Sequence, residues 1–299
     1  MNWYHNLNID KKETLVAYLF LVPSLFFFIT FVLIPMGMGI FTSFFDYTSL
    51  KFEFNGLGNY IKLFSPNEYF LRALKNTVVL VLVAVPIIVL FSLFAGYVLY
   101  YRRPFTRAAF RAIFYLPVVT GSVAVVVFWS WFFNEHNGVL NWVLRDVLQV
   151  IERNISWFGD KRYALSTIIT VLITTSVGQP IVLYIASLGN LDVSQLEAAK
   201  IDGANEWQVF KHVTLPGIMP TTLYVVIITT INTFQCFNLV QLLTNGAPSF
   251  HSATVMFLVY EQAFTFKQFG YANAMGIALA IIIGLISMIQ YKVFKTDTY

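Results

Sequence analysis

The chain has 299 residues, 58% of them hydrophobic and only 11% charged, with a formal net charge of +4. Soluble domains carry about 25% charged residues, so this composition excludes an ordinary soluble protein and places the chain in a membrane. The small net charge gives no footing for nucleic acid or for a strongly acidic partner.

The 19 basic and 15 acidic residues all avoid six windows, at 14–45, 76–101, 112–134, 163–191, 212–260 and 268–291. A membrane helix needs about 20 apolar residues, and every window is long enough. They predict six transmembrane helices near 15–44, 77–101, 113–134, 165–188, 218–242 and 271–291. These form one transmembrane domain over 15–291, between an N-terminal segment at 1–14 and a tail at 292–299. The first apolar run is too long for a cleavable signal peptide, and no small-residue cleavage site follows it. Pro23 and Pro35 are expected to bend it. Arg102, Arg103, Arg107 and Arg111 crowd the short loop after the second helix, which predicts that this loop is cytoplasmic. Alternation then makes both termini and a loop at 190–217 cytoplasmic. External loops fall near 46–76, 135–164 and 243–270. Within the second of these, Val139, Leu140, Val143, Leu144, Val147, Leu148 and Ile151 predict an amphipathic helix over 138–151.

Few groups suggest covalent chemistry. With one cysteine, Cys236, no intrachain disulfide can form. His5, His136, His212 and His251 lie too far apart for metal-ligand spacing. The sequence has no G-x-x-x-x-G-K-[ST], G-x-S-x-G or H-E-x-x-H, so no catalytic, metal or nucleotide site is expected in this chain. Uncharged polar residues do occur inside the spans. The fifth carries Asn232, Thr233, Gln235, Asn238 and Gln241 within one half of the helix. The fourth carries Thr174, Thr175, Ser176, Gln179 and Tyr184, with Gly178 and Pro180 loosening its backbone. The sixth adds Asn273. Amides in hydrocarbon need partners or water. They either tie helices together or line a path for a polyhydroxylated solute, which wants donors and acceptors without charge.

The stretch between the fourth and fifth spans is polar and carries its own punctuation. Ser194 with Glu197 fits a capping box, and Asp192 with Gln195 is an equally good start two residues earlier. Gly203 suits the left-handed position that ends a helix. Asn205 with Gln208 offers a second N-cap. Trp207, Phe210 and Val213 make an apolar stripe, and Pro216 is expected to stop the second helix. The order Glu197-Ala198-Ala199, Asp202-Gly203-Ala204, Phe210, Leu215-Pro216 and Pro220 resembles the EAA coupling loop of ABC-importer permeases. Gly56-Leu57-Gly58-Asn59-Tyr60, Asn76-Thr77, Gly138-Val139-Leu140-Asn141, Asn245-Gly246-Ala247-Pro248 and Gly270-Tyr271-Ala272 resemble the sugar-importer permeases. The branch is maltose-transporter-like, and the likeness is to its first permease subunit. The chain is too short for the extra N-terminal helices and large periplasmic domain of the enterobacterial maltose subunit.

The resemblance implies an all-α membrane protein with six transmembrane helices, the transmembrane domain of a type I ABC importer. It implies a multi-pass protein of the bacterial or archaeal plasma (inner) membrane, surrounded by membrane lipid. Its implied partners are a second homologous permease subunit, two ABC ATPase subunits that bind the ATP and Mg, and an extracellular or periplasmic solute-binding protein. The implied substrate is a carbohydrate, a di- or oligosaccharide. Glu197, Ala198, Ala199, Asp202, Gly203, Ala204, Trp207, Phe210, Leu215 and Pro216 would form the ATPase-coupling loop. Substrate contacts would fall on the middle of the fifth helix, with Gln235 and Asn238 foremost and Asn232, Gln179 and Asn273 behind them. A permease for a phosphorylated polyol or another small polar solute stays open, although spans without Arg or Lys argue against a phosphate. An ion-coupled secondary transporter wants an intramembrane charge. The spans have none, and Glu261 falls in an external loop.

Overall fold

Apolar backbone in hydrocarbon must satisfy its own hydrogen bonds, so long uncharged runs fold as helices. The computed structural model describes residues 9–65 and 69–294, and the outermost parts of the predicted terminal segments, 1–8 and 295–299, lie outside the described residues. Helix α1 (Ile9–Phe28) passes through a π turn (Ile29–Leu33) into α2 (Ile34–Thr42). Pro23 lies within α1, whereas Pro35 opens α2 just after the π turn. Strands β1 (Phe45–Tyr47) and β2 (Phe52–Phe54) pair as a hairpin, with Phe45 opposite Phe54 and Tyr47 opposite Phe52. Helix α3 (Gly58–Leu63) leads to α4 (Phe70–Tyr100), then α5 (Pro104–Val119), α6 (Ser122–Phe132) and the short α7 (Val139–Trp142). Next come α8 (Ala164–Ser176) and α9 (Gly178–Gly189), followed by α10 (Val193–Ile201), α11 (Glu206–Val209) and α12 (Leu215–Gly217). Helices α13 (Met219–Phe234), α14 (Asn238–Leu243), α15 (Val255–Tyr260) and α16 (Phe269–Phe294) complete the chain.

Helix α4 is the axis of the bundle. Leu80, Ala84, Ile88 and Ser92 are fully buried on it, where it packs against α8, α9 and α13. Gly96 lets α9 approach, because a Cβ there would lie 2.8 Å from that of Tyr184. Helix α16 packs on α13 and α2. The apolar span Val16–Thr42, by contrast, has none of its most apolar stretch buried.

Among the described residues, four helical runs are long and apolar enough to cross a membrane: Val16–Thr42, Phe70–Tyr100, Ala164–Gly189 and Phe269–Phe294. Two bent pairs raise the number to six if each is one span: Pro104–Val119 with Ser122–Phe132 at 100°, and Glu206–Gly217 with Met219–Phe234 at 65°. The window at 113–134 is therefore two helices rather than one. Pro117 cannot donate to the carbonyl one turn back, Thr120 turns its hydroxyl onto the Leu116 carbonyl at 2.8 Å, and Thr120 and Gly121 take extended backbone. The window at 218–242 is likewise interrupted, at Gln235–Phe237. Two loops also differ from expectation. The stretch 46–76 contains the hairpin. The amphipathic helix expected over 138–151 stops at a π turn (Val143–Val147), and Gln149 beyond it has positive φ. Asn141 is buried there instead of facing water: its amide donates to the carbonyls of Asn134, Glu135 and Ile155 and accepts from Ile155 N and Trp157 Nε1.

Candidate coupling loop and translocation cavity

The loop after α9 is built from local hydrogen bonds. The Asp192 carboxylate accepts from Ser194 N at 2.9 Å and caps α10, so Ser194 lies inside the helix and its box with Glu197 is not formed. The bonds from Ser194 hold the Asp192 carboxyl below the usual carboxylate range. Gly203 has φ +85°. Around it Gly203 N donates to Lys200 O at 3.1 Å and Ala204 N to Ala199 O at 3.0 Å. This pair of bonds is the Schellman closure, in which a left-handed residue lets two trailing amides satisfy the last carbonyls of a helix. Ala199 and Ala204 are thus the two ends of one bond, with Asp202 and Gly203 the turn between them.

The second helix begins at once. Asn205 and Gln208 form a reciprocal capping box, with bonds of 2.9 and 2.8 Å. Helix α11 runs through a π turn (Phe210–Thr214) into α12, so the helix passes Leu215 and Pro216 and breaks at Ile218. Pro216 fits within it because a π turn already displaces the regular bonding pattern. Lys200 pairs with Glu206 at 3.1 Å across the two helices. Both partners are exposed, so the pair adds little.

Packing ties the loop to α4 at one point. The Phe210 ring lies edge-on to Tyr97 at 5.0 Å, and Trp207 stacks on Phe210 at 5.6 Å. Trp207 is itself 69% exposed, as are Val193 and Ile201 to similar degrees, and α10 buries no side chain. Glu197 and Ala198 face outward with them. Tyr97 lies near the end of α4, so this contact sets the loop beside the arginine loop that follows. Tyr97 itself escaped the sequence reading; its spacing to Tyr101 at the end of an apolar run was the available signal.

A cavity of about 170 Å³ lies where α5, α8, α9 and α13 meet, lined among others by Val118, Thr175, Ser176, Gln179, Thr229 and Asn232. Backbone breaks shape it. The helix is interrupted at Val177, between α8 and α9, and the Val177 carbonyl accepts from Ser92 Oγ at 3.3 Å as well as from Ile181 N at 3.1 Å. Gly178 follows, and α5 comes so close that a Cβ there would overlap the Phe114 carbonyl. The Thr175 hydroxyl is spent on carbonyls of its own helix. The Gln179 and Asn232 amides have no hydrogen-bond partner among the described residues.

Of the five residues proposed for a solute path, the structure brings Gln179 and Asn232 together in this cavity. Gln235 follows Asn232 by one turn, at the end of α13, and is exposed. Asn238 opens α14 beyond the break, also exposed, so the helical stripe expected over 232–241 ends at Gln235. Asn273 lies elsewhere: its amide donates to Thr42 Oγ1 at 2.7 Å and ties α16 to α2. The break is held from outside. Thr254 Oγ1 donates to the Cys236 carbonyl at 2.7 Å, Thr77 Oγ1 accepts from Val255 N at 3.0 Å, and Asn76 donates to the Ala253 carbonyl at 2.9 Å. Thr229 and Thr254 were missed because threonines in and beside apolar runs carry no signal of their own.

The sequence model of the family described as "Binding-protein-dependent transport system inner membrane component" matches residues 68–297. The probable ABC transporter permease protein YesP of Bacillus subtilis (strain 168) is 34% identical over 293 residues, 97% of this chain and 92% of that one. The lactose transport system permease protein LacF of Rhizobium radiobacter is 29% identical over 278 residues, 92% of each chain. Among solved structures, a bacterial ABC transporter involved in the import of the acidic polysaccharide alginate matches with a TM-score of 0.80 at 24% identity, covering 97% of this chain and 98% of that one. That likeness is one of fold.

Proposed function

This chain belongs to the family of binding-protein-dependent transport system inner membrane components, and we propose that it forms half of the translocation path of an ATP-driven importer for a di- or oligosaccharide. The observation that carries the substrate class is the cavity between α9 and α13: two unpartnered amides, several hydroxyls and no charged side chain. Such a lining exchanges hydrogen bonds with a neutral polyol and gives an ion no counter-charge. LacF, by its name, serves lactose, which supports the same class.

In this reading a second, homologous permease completes the path, two ATPase subunits bind ATP and Mg, and a binding protein delivers the solute. The ATPases dock on the outward side of the coupling loop, at Glu197, Ala198, Val193, Ile201 and Trp207. Asp202, Gly203, Ala204, Leu215 and Pro216 keep the loop's shape. When the ATPases close, the loop moves as one piece and pushes on α4 through Phe210 and Tyr97. In this reading the arginine loop and the coupling loop share the cytoplasmic side, as do both termini; the seating of Phe210 on Tyr97, at the end of α4 that leads into the arginine loop, supports the first of these.

One observation favours an anionic solute as a second reading. Arg111 lines a cleft with Tyr115 and Val182 that shares Gln179 and Leu183 with the cavity. The absence of basic residues inside the spans therefore does not keep a guanidinium away from the path. Both readings are tested by reconstituting the complete complex and measuring ATP hydrolysis stimulated by neutral, uronic-acid and phosphorylated saccharides. Stimulation by neutral oligosaccharides is expected. Stimulation by acidic sugars alone would replace the first reading with the second, and an ATPase indifferent to every saccharide would defeat both.

A further inference from the structure

The motif Gly56-Leu57-Gly58-Asn59-Tyr60 takes no part in the cavity or the coupling loop. It lies at the far end of the bundle from the latter. Phe64 meets Phe70 at the start of the 31-residue helix α4, whose other end meets Phe210.

The unit formed by the hairpin and α3 turns much of its apolar surface outward. In and beside α3, Asn59 is 5% exposed and Leu63 joins the core, while Leu57, Ile61 and Phe64 are 61, 71 and 65% exposed. The Asn59 amide donates inward to the carbonyls of Ser43 and Phe45, both at 2.8 Å. Tyr60 and Ser43 share a hydroxyl bond of 2.7 Å. Lys62 also turns inward, to Gln268 Oε1 at 3.1 Å and over the Tyr271 ring at 4.2 Å. Side chains alternate along a strand, so Phe45, Tyr47, Phe52 and Phe54 share one face of the hairpin, and Asp46 and Glu53 the other. On the aromatic face Phe45 stacks on Phe52 at 4.6 Å and meets Phe54 at 5.4 Å. Phe52 and Phe54 stay exposed.

A surface that turns Asn59 and Lys62 inward while presenting Phe52, Phe54, Leu57, Ile61 and Phe64 suits an apolar medium. Lys51, Glu53 and Asn55 stay exposed beside it. Its position fits the edge of a bilayer. It continues directly from the uncovered apolar span Val16–Thr42. It also packs level with the first turn of α16, where Tyr47 meets Phe269 at 5.1 Å and the Phe45 carbonyl closes on Gly270. Aromatic rings favour this interfacial zone. We propose that residues 45–64 form an interfacial anchor that docks on phospholipid at the headgroup–acyl boundary of the leaflet opposite the coupling loop. The Phe54 face and Ile61 sink toward the acyl chains, and Glu53 stays in water. The inference rests on membrane embedding alone and is independent of the transported solute.

The test places a nitroxide at Phe54→Cys, Ile61→Cys or Glu53→Cys in a Cys236→Ala chain, within the complete complex in phospholipid vesicles. Collision with oxygen should exceed collision with a water-soluble nickel chelate at Phe54 and Ile61, and the ratio should reverse at Glu53. Chelate accessibility at Phe54 and Ile61 equal to that at Glu53 would overturn the proposal in favour of open water. Shielding of both sites from both quenchers would overturn it in favour of a protein partner. A second measurement needs no variant: a photoactivatable phospholipid should label peptides covering 45–64 in the unaltered complex, and a failure to label them would also overturn it.

Discussion

In the coupling loop, Ala204 bonds to Ala199 and Asn205 to Gln208, partners five and three residues away. At the cavity Ser92 reaches a carbonyl 85 residues on, and at the helix break just past it Thr254 reaches one 18 residues back and Thr77 an amide 178 residues away. The two regions are stabilised on different length scales. A segment closed by its own neighbours keeps its shape wherever the bundle carries it. A cavity wall closed by distant groups changes shape whenever those elements shift. That division suits a machine in which one part must move rigidly and another must open.

The largest expected effect comes from breaking the local closure. No atom lies within 4 Å of the site a Gly203 Cβ would occupy, so a side chain there meets no clash and its cost is conformational. A β-branched residue held at positive φ loses about 1–2 kcal/mol. Gly203→Val should therefore reduce uptake by the reconstituted complex to background while the protein still inserts, and Gly203→Asn should retain most of it, since Asn tolerates this conformation. Normal uptake in the valine variant would mean that the loop does not act as a rigid lever.

Next in size is the cavity itself. Gln179→Ala with Asn232→Ala removes both unpartnered amides. Each lost hydrogen bond to solute is worth about 0.5–1.5 kcal/mol, so the KM for transport should rise about tenfold or more, with ATPase assembly unchanged. An unaltered KM would move the path elsewhere, with Gln235 and Asn238 the next residues to change.

The long-range closure should show in stability rather than in coupling. Thr254→Val strips the buried Cys236 carbonyl of its donor and should cost about 1 kcal/mol. It should appear as a lower thermal midpoint, with the ratio of solute moved to ATP hydrolysed preserved. A changed ratio at an unchanged midpoint would show that the break itself conveys the stroke.

The smallest effect is a pH response. The Asp192 carboxyl is held below its usual range by its bonds to Ser194, so the cap stabilises the loop above the unfolded aspartate value of about 3.9 and is lost as pH falls through the lower folded value. Protection against hydrogen exchange in peptides covering 190–205, taken relative to the intrinsic rate at each pH, should fall on acidification from about pH 5 to about pH 3 in the parent. Asp192→Asn, which keeps the acceptor, should flatten that response.

The same difference in length scale decides what could be read in advance. Gly203, Asn205 and Gln208 are legible because each residue and its partner share one helical turn. The ambiguity between Ser194 and Asp192 was also local, and geometry chose the earlier cap. Six apolar windows were plain from the placement of charge alone. The break at Gln235–Phe237 was not, since its cause sits in Thr254. The bend at Thr120–Gly121 did carry a local mark in Pro117, but the apolar run around it masked the signal. The hairpin was hidden differently. Phe45-Asp46-Tyr47 and Phe52-Glu53-Phe54 alternate with a strand period, inside a stretch read only as a connection. Asn141 is buried within 138–151 because its five bonds reach two separate segments, 134–135 and 155–157, which no periodicity reveals.

The free-standing character of α10 bears on how such machines diversify. A surface whose exposed residues hold up nothing behind them is free to drift. Val193 and Ile201 contribute side chains to the outside of the loop, while its form is kept by main-chain bonds and by Asp192, Gly203, Asn205 and Gln208. With ATPases docked as proposed, exchanging the outward residues would re-key the loop to a different motor subunit without repacking the bundle. Engines and conduits joined this way would evolve as separate stocks, a new pairing between them needing only a few changes on α10.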